Sequence, residues 1–201
     1  MPRLKSYHTQ GVLEAGCDEA GRGCLAGPVV AAAVILPPKV RIPGLDDSKK
    51  LSETKRDELR GLIEQKALAW QVIAVQPEEI DRINILQASF TAMHRCIEGL
   101  SIDPEELLID GHMFRPYAGK KHHCIIKGDG KYRSIAAASI LAKCHRDEMM
   151  YGLHESYPQF NWKRNKGYPT AEHRSALKKH GATEHHRKSF ELGIEQLEIA
   201  F

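Results

Sequence analysis

The apolar positions come first as short runs and later as helical stripes. Residues 11–17, Gly-Val-Leu-Glu-Ala-Gly-Cys, read as a short strand ending at a polar turn. Residues 27–36, Gly-Pro-Val-Val-Ala-Ala-Ala-Val-Ile-Leu, carry no polar interruption and predict a strand buried on both faces. Pro37, Pro38, Pro43 and Gly44 mark a loop. Ser52 is placed to cap a helix over 53–66, and a β-rich run follows from Leu68 to Val75. Leu86, Phe90, Met93, Ile97 and Leu100 recur at alternating steps of four and three residues, the buried stripe of one helix. Leu107-Leu108-Ile109 and the run from His123 to Lys127 predict two further strands. An alanine-rich helix runs from Ser134 to about Ser156, and two short helices follow Pro158. A hairpin-like strand pair followed by alternating strands and helices predicts an α/β protein with a mixed central sheet flanked by helices. Residues 1–157 form the expected core and residues 158–201 a small C-terminal helical extension packed on it.

Composition narrows the class. A chain of 201 residues suits one domain with a helical appendix, and 42% hydrophobic with 27% charged residues excludes wholesale disorder. No run approaches the roughly 18 apolar residues of a membrane span, and residues 1–10 lack an apolar signal region. The cysteines, Cys17, Cys24, Cys96, Cys124 and Cys144, are odd in number and form no C-x-x-C pair. A disulfide framework or a zinc site is therefore not expected, and a reducing cytoplasm is. The net charge of +3 conceals an imbalance: residues 111–190 hold 16 Lys/Arg against 6 Asp/Glu, and the remainder 13 against 20. Either this is an ordinary solvated surface or the basic half engages a polyanion such as nucleic acid. Charge names a class of partner and no chemistry.

The carboxylates supply candidate chemistry. Asp18-Glu19 follows the first strand, Asp110 follows Leu-Leu-Ile, and Asp129 lies in Lys-Gly-Asp-Gly-Lys just beyond Cys124-Ile125-Ile126. Each acid taken alone is an ordinary turn residue. If their strands are neighbours, the acids converge at one sheet edge, where they repel one another unless a cation intervenes. Oxygen-only ligation favours Mg²⁺ or Mn²⁺, and two such ions about 4 Å apart can serve an in-line displacement at phosphorus. Gly21-Arg22-Gly23 is either a plain tight turn or a backbone able to approach a ligand closely.

Six ordered blocks then carry a resemblance. Asp18 to Val29 (Asp-Glu-Ala-Gly-Arg-Gly-Cys-Leu-Ala-Gly-Pro-Val), Asp46-Asp47-Ser48-Lys49-Lys50-Leu51, Ile83 to Ala88, Lys127-Gly128-Asp129, Ser134 to Lys143 and Gly167-Tyr168-Pro169-Thr170 resemble ribonuclease HII. The likeness runs over about residues 11–190. It implies a ribonuclease H-like fold and a two-metal endonuclease that cuts the RNA strand of RNA/DNA hybrids and cuts 5′ to single ribonucleotides in duplex DNA, leaving 3′-hydroxyl and 5′-phosphate ends. By the same resemblance Asp18, Glu19, Asp110 and Asp129 hold the two Mg²⁺ or Mn²⁺ ions. Gly21, Arg22 and Gly23 contact the ribonucleotide, and Tyr168 senses the RNA–DNA junction. The rival readings are another metal-dependent nuclease and a non-catalytic nucleic-acid-binding module of the same fold. A sibling family, ribonuclease HIII, carries an extra N-terminal domain for which 17 residues before Asp18 leave no room.

Lys49 and Lys50 are expected to contact phosphates, and Ser139 and Lys143, one turn apart, to face the nucleic acid. Arg164, Lys166, Arg174, Lys178 and Lys179 are read as nonspecific contacts to the duplex backbone. The eleven histidines show no H-x-x-x-H spacing with a supporting carboxylate and are read as surface or core residues. Gln196 to Phe201 is similar to peptides that dock on bacterial sliding clamps; the plainer reading is an amphipathic helix end packing Leu197 and Phe201 on the core. A monomer is expected.

Overall fold

A computed structural model describes residues 4–193. Five strands, β1 (Glu14–Ala20), β2 (Val29–Ile35), β3 (Ala69–Val75), β4 (Glu106–Asp110) and β5 (Lys121–Ile125), form one sheet in the order β3-β2-β1-β4-β5. The first three run antiparallel as a meander, while β4 and β5 lie parallel to β1. Among the described residues six α-helices surround it: α1 (Glu53–Lys66), α2 (Pro77–Ile83), α3 (Ile85–Glu98), α4 (Arg133–Ser156), α5 (Trp162–Asn165) and α6 (Ala171–His180).

The run in β2 is apolar throughout because both of its faces are covered. Val29, Ala31, Ala33 and Ile35 face a core shared with Met93, Cys96 and Ile97 of α3. Ala32 and Val34 face the opposite core, shared with Leu59 and Ile63 of α1 and Ala137, Ala138 and Leu141 of α4. The small residues of β1 and α4 let these elements approach closely. A Cβ added at Gly16 would stand 2.2 Å from the Ser134 carbonyl carbon. This contact fixes the start of α4 over the centre of the sheet.

A third core joins the C-terminal elements to the rest. Phe160, Trp162, Leu177 and Leu192 pack with Leu25, Ala26 and Met150. The periodic stripe belongs to α3, with Leu100 just beyond its end. α2 was not expected: its seven residues are too few for a periodic signal, and Asn84, at φ 65°, breaks it from α3 while capping the latter through the Gln87 N–H. Two strand limits also differ from expectation. Pairing of Ala20 with Val30 extends β1 through Asp18 and Glu19, so these acids lie within the strand end. β5 runs from Lys121 to Ile125, and the following residues turn toward α4. Gln196–Phe201 lies outside the described residues.

Candidate active site

Three of the acids reach the site from three different elements. Asp18 shares the strand parity of Gly16, so it lies on the face covered by α4. Asp110 is the last residue of β4. Asp129 sits in a short 3₁₀ turn, 128–130, immediately before α4. That turn is shaped by Lys127 in the left-handed conformation, φ 55°, which directs the Gly128 N–H onto Asp110 Oδ1 at 2.6 Å. A Cβ at Gly128 would stand 2.6 Å from Ile135 Cδ1, so a side chain there requires that methyl to move. The two parallel pairings, β1 with β4 and β4 with β5, bring the acids together. One carboxylate oxygen from each of Asp18, Asp110 and Asp129 lies within 4.8 Å of the other two.

Glu19 stands outside that group, with Oε1 3.2 Å from Arg22 Nη1. Asp18 Oδ1 accepts the Glu19 N–H at 2.7 Å. Asp129, 2% exposed, receives Lys49 Nζ on Oδ2 at 2.9 Å. Ser139 is buried, shares a 2.8 Å hydrogen bond with Ser48 and donates to Asp18. Lys143 is held by Asp147 Oδ1 at 2.5 Å.

The electrostatics follow from this crowding. Burial, then the charges of Glu19 and Asp110, push the Asp18 carboxyl well above its ordinary value despite the Ser139 hydrogen bond. Burial likewise raises Glu19, which Arg22 partly counters. Burial raises Asp110, with the Gly128 N–H opposing and Asp129 reinforcing. Burial would lower Lys49, but its hydrogen bond to Asp129 and the charges of Asp129 and Asp18 reverse that, and its pKa rises. Asp18 and Asp110 resist ionising, and with Asp129 they form a donor set for a hard divalent cation whose oxygen-only chemistry fits Mg²⁺ or Mn²⁺.

Beside the acids lies a cleft of about 420 Å³ lined by Asp18, Glu19, Gly21 to Gly23, Lys49, Ser139, Lys143 and Tyr168, among others. The Gly21–Cys24 turn closes with a 3.4 Å bond from the Cys24 N–H to the Gly21 carbonyl. Gly21 needs to be glycine: φ is +92° and a Cβ would stand 2.0 Å from Arg146 Nε. Space beside Gly23 is open, since a Cβ there would meet nothing within 4 Å. Tyr168 is 40% exposed and its ring lies 5.8 Å from the Arg146 guanidinium carbon.

Two expectations among the basic residues change. Lys50 turns away to Asp46, 3.2 Å, and does not join the cleft, because the loop helix at 48–50 points successive side chains apart. Lys166 is nearly buried, with Nζ donating to the Lys163 carbonyl at 2.6 Å and lying 3.5 Å from the Tyr151 ring centre. It braces the loop and presents no free charge to a duplex.

Sequence reasoning missed the buried arginines that hold this cleft. Arg146, 1% exposed, donates to the carbonyls of Pro28, Lys166 and Ala26 at 3.0, 2.8 and 3.1 Å. It thereby ties the segment that follows the glycine turn to the Gly167-Tyr168 loop. Arg187 donates to the carbonyls of Gly27 and Arg22 at 3.0 and 2.9 Å. Arg56 donates to Ser48 and Leu51, fixing the loop that carries Lys49. The available signal for Arg146 was a charge on the buried stripe of α4, in line with Ser139 and Met150.

Behind Tyr168 lies a relay of neutral rings. His173 Nδ1 donates to the Tyr168 carbonyl at 2.9 Å, so His173 Nε2 is an acceptor. It takes the Trp162 Nε1–H at 3.0 Å and the His186 Nε2–H at 3.1 Å, while His186 Nδ1 accepts the Thr183 N–H at 2.9 Å. Burial, followed by the neighbouring histidines, pushes His186 down to about 3.

A sequence model of the family described as Ribonuclease HII matches residues 15–192. The ribonuclease HII of Parabacteroides distasonis is 59% identical over 198 residues, 98% of this chain and 100% of that one. The crystal structure of ribonuclease H2 from Pyrococcus horikoshii OT3 superposes with a TM-score of 0.75 at 27% identity, covering 89% of this chain and 94% of that one. The RNase HII in a PCNA complex from Archaeoglobus fulgidus gives a TM-score of 0.74 at 28% identity, over 90% and 96% of the two chains.

Proposed function

The chain belongs to the ribonuclease HII family and is a metal-dependent endoribonuclease acting on RNA/DNA hybrids; from that premise we propose that it also cuts duplex DNA 5′ to a single embedded ribonucleotide, leaving 3′-hydroxyl and 5′-phosphate ends. This would begin the removal of misincorporated ribonucleotides from DNA. The observation that carries the reading is the meeting of Asp18, Asp110 and Asp129 beside a cleft whose wall is the open Gly21–Gly23 turn and Tyr168.

Asp18, Glu19, Asp110 and Asp129 would hold two Mg²⁺ or Mn²⁺ ions, with Glu19 exchanging its exposed Arg22 partner for metal. Ions held there would supply the Lewis acidity that lowers the pKa of a bound water and offsets charge on a departing oxygen. Ser139 holds Asp18 in place. Lys49 is positioned to exchange Asp129 for a phosphate oxygen, and Lys143 to do likewise from Asp147. The backbone of the glycine turn can read the 2′-hydroxyl, which separates RNA from DNA, and Tyr168 offers a ring to stack on the adjoining sugar or base. Residues 1–157 act as the catalytic core and the C-terminal segment supplies Tyr168 and part of the basic surface.

We place the enzyme in the cytoplasm as a monomer; among the described residues no helix is long and apolar enough to cross a membrane. The C-terminal Gln196–Phe201 peptide is a candidate clamp contact, and the relative found with PCNA makes that reading worth testing. Loss of clamp binding on deleting these six residues supports it, and unchanged binding removes it. The function is tested with labelled duplexes. A duplex carrying one ribonucleotide should be cut once, 5′ to it, only with Mg²⁺ or Mn²⁺, and all-DNA duplex should be spared. Cleavage of all-DNA duplex, or binding without cleavage, overturns the proposal.

A further inference from the structure

A second group of ligand-type side chains lies at the other end of the sheet. Glu106 opens β4 and Asp110 closes it, so the two are about 13 Å apart along the strand at ~3.3 Å per residue. One ligand atom from each of His8, Glu106 and His123 lies within 4.8 Å of the other two. His123 Nε2 is 2.9 Å from Glu106 Oε2, and the His8 and His123 ring centres are 4.0 Å apart at 34°.

We propose that His8, Glu106 and His123 form a structural site for one zinc-like transition-metal ion, which pins the N-terminal segment to the sheet edge. Two imidazoles and one carboxylate are the donor set of borderline ions such as Zn²⁺, unlike the all-oxygen cluster at the catalytic end. Zinc bonds of about 2.0–2.1 Å place tetrahedral ligand atoms roughly 3.3 Å apart, so the 2.9 Å pair needs only a few tenths of an ångström of adjustment. His8 is exposed, which leaves a fourth position to water.

The ligands are held in place by the fold. His8 and Thr9 donate their backbone N–H groups to the Glu14 carboxylate, His8 at 3.0 and 2.9 Å. Lys5 bridges to the chain just before α4, its N–H reaching the Lys131 carbonyl at 2.8 Å and its carbonyl accepting the Arg133 N–H at 3.0 Å. Glu106 accepts from Lys121 Nζ at 2.8 Å on Oε1 and from Thr9 Oγ1 at 2.9 Å on Oε2. These bonds and the His123 contact hold the carboxylate in place. Among the described residues Lys121 is the one lysine or arginine on the carboxylate; it sits on the other oxygen, and its side chain is 64% exposed and free to swing away. The three ligands come from positions 8, 106 and 123, so no local spacing could announce them.

The test is Zn²⁺ titration of untagged protein carrying Asp18→Asn and Asp110→Asn to silence the catalytic acids. One zinc per chain in the micromolar range is expected. His8→Ala, an exposed change that leaves the fold intact, should weaken it at least about tenfold, and Lys121→Gln should tighten it by removing a competing charge. In the otherwise unchanged chain, His8→Ala should leave Mg²⁺-dependent hybrid cleavage as it was, and in the background with the catalytic acids silenced it should abolish the rise in melting temperature given by zinc. Absence of saturable zinc binding, or zinc binding indifferent to His8→Ala and Lys121→Gln, overturns the proposal.

Discussion

At the scale of residues, the buried carboxylates trade stability for chemistry. The folded pKa of Asp18 is raised, so the metal-free fold is favoured while this group is protonated and is penalised as pH rises through that value. Asp18→Asn should therefore raise the melting temperature of the metal-free protein near neutral pH, lose that advantage in acid, and reduce cleavage by at least about a thousandfold. Scanning fluorimetry with and without Mg²⁺ checks both halves: added Mg²⁺ should stabilise the unaltered chain and not the variant. The acids were legible from the sequence because each closes an apolar run. Their protein partners were not. That Lys49 turns to Asp129 while Lys50 turns to Asp46 depends on one short turn, and that Arg146 is wholly buried depends on three carbonyls brought from two distant loops.

At the scale of elements, the position of α4 decides the site. This helix carries Ser139 and Lys143, follows Asp129 directly, and rests on β1 through the gap left at Gly16. Gly16→Ala would push backbone against backbone at 2.2 Å and should cost about 3 kcal/mol or more, read by urea unfolding, and depress cleavage without altering any acid. An unchanged unfolding midpoint would show that the interface is looser than described. The strands and long helices were readable because continuous apolar runs and the four-three stripe have a single structural solution each. Element ends were less so: β1 extends past its apolar run because β2 supplies a pairing partner as far as Val30, information absent from the strand itself. Similarly, α2 is too short to leave a period and is set by Pro77 and the turn at Asn84.

At the scale of the whole molecule, the C-terminal elements are locked to one another through neutral histidines, and this makes the fold acid-sensitive. His186 titrates at about 3 when folded and near its ordinary 6.5 when unfolded, so the unfolded chain takes up the proton first. Its contribution is complete above about 6.5 and is lost as pH falls toward 3. With Trp70→Phe leaving Trp162 as the sole tryptophan, fluorescence should report a melting temperature that declines from pH 6.5 to 4. A flat profile would contradict the neutral relay behind Tyr168. The charge asymmetry along the chain indicated a polyanionic partner, and the sheet order turned scattered acids into one cluster, a step that needs the parallel pairing of β1, β4 and β5. The account rests on that cluster holding divalent ions against a scissile phosphate. Crystals grown with Mn²⁺ and an uncleavable duplex containing one ribonucleotide, measured for anomalous scattering, test it most directly. Two manganese peaks should appear among Asp18, Glu19, Asp110 and Asp129 at the ribonucleotide phosphate; manganese absent from that cluster, with the duplex bound, would contradict it.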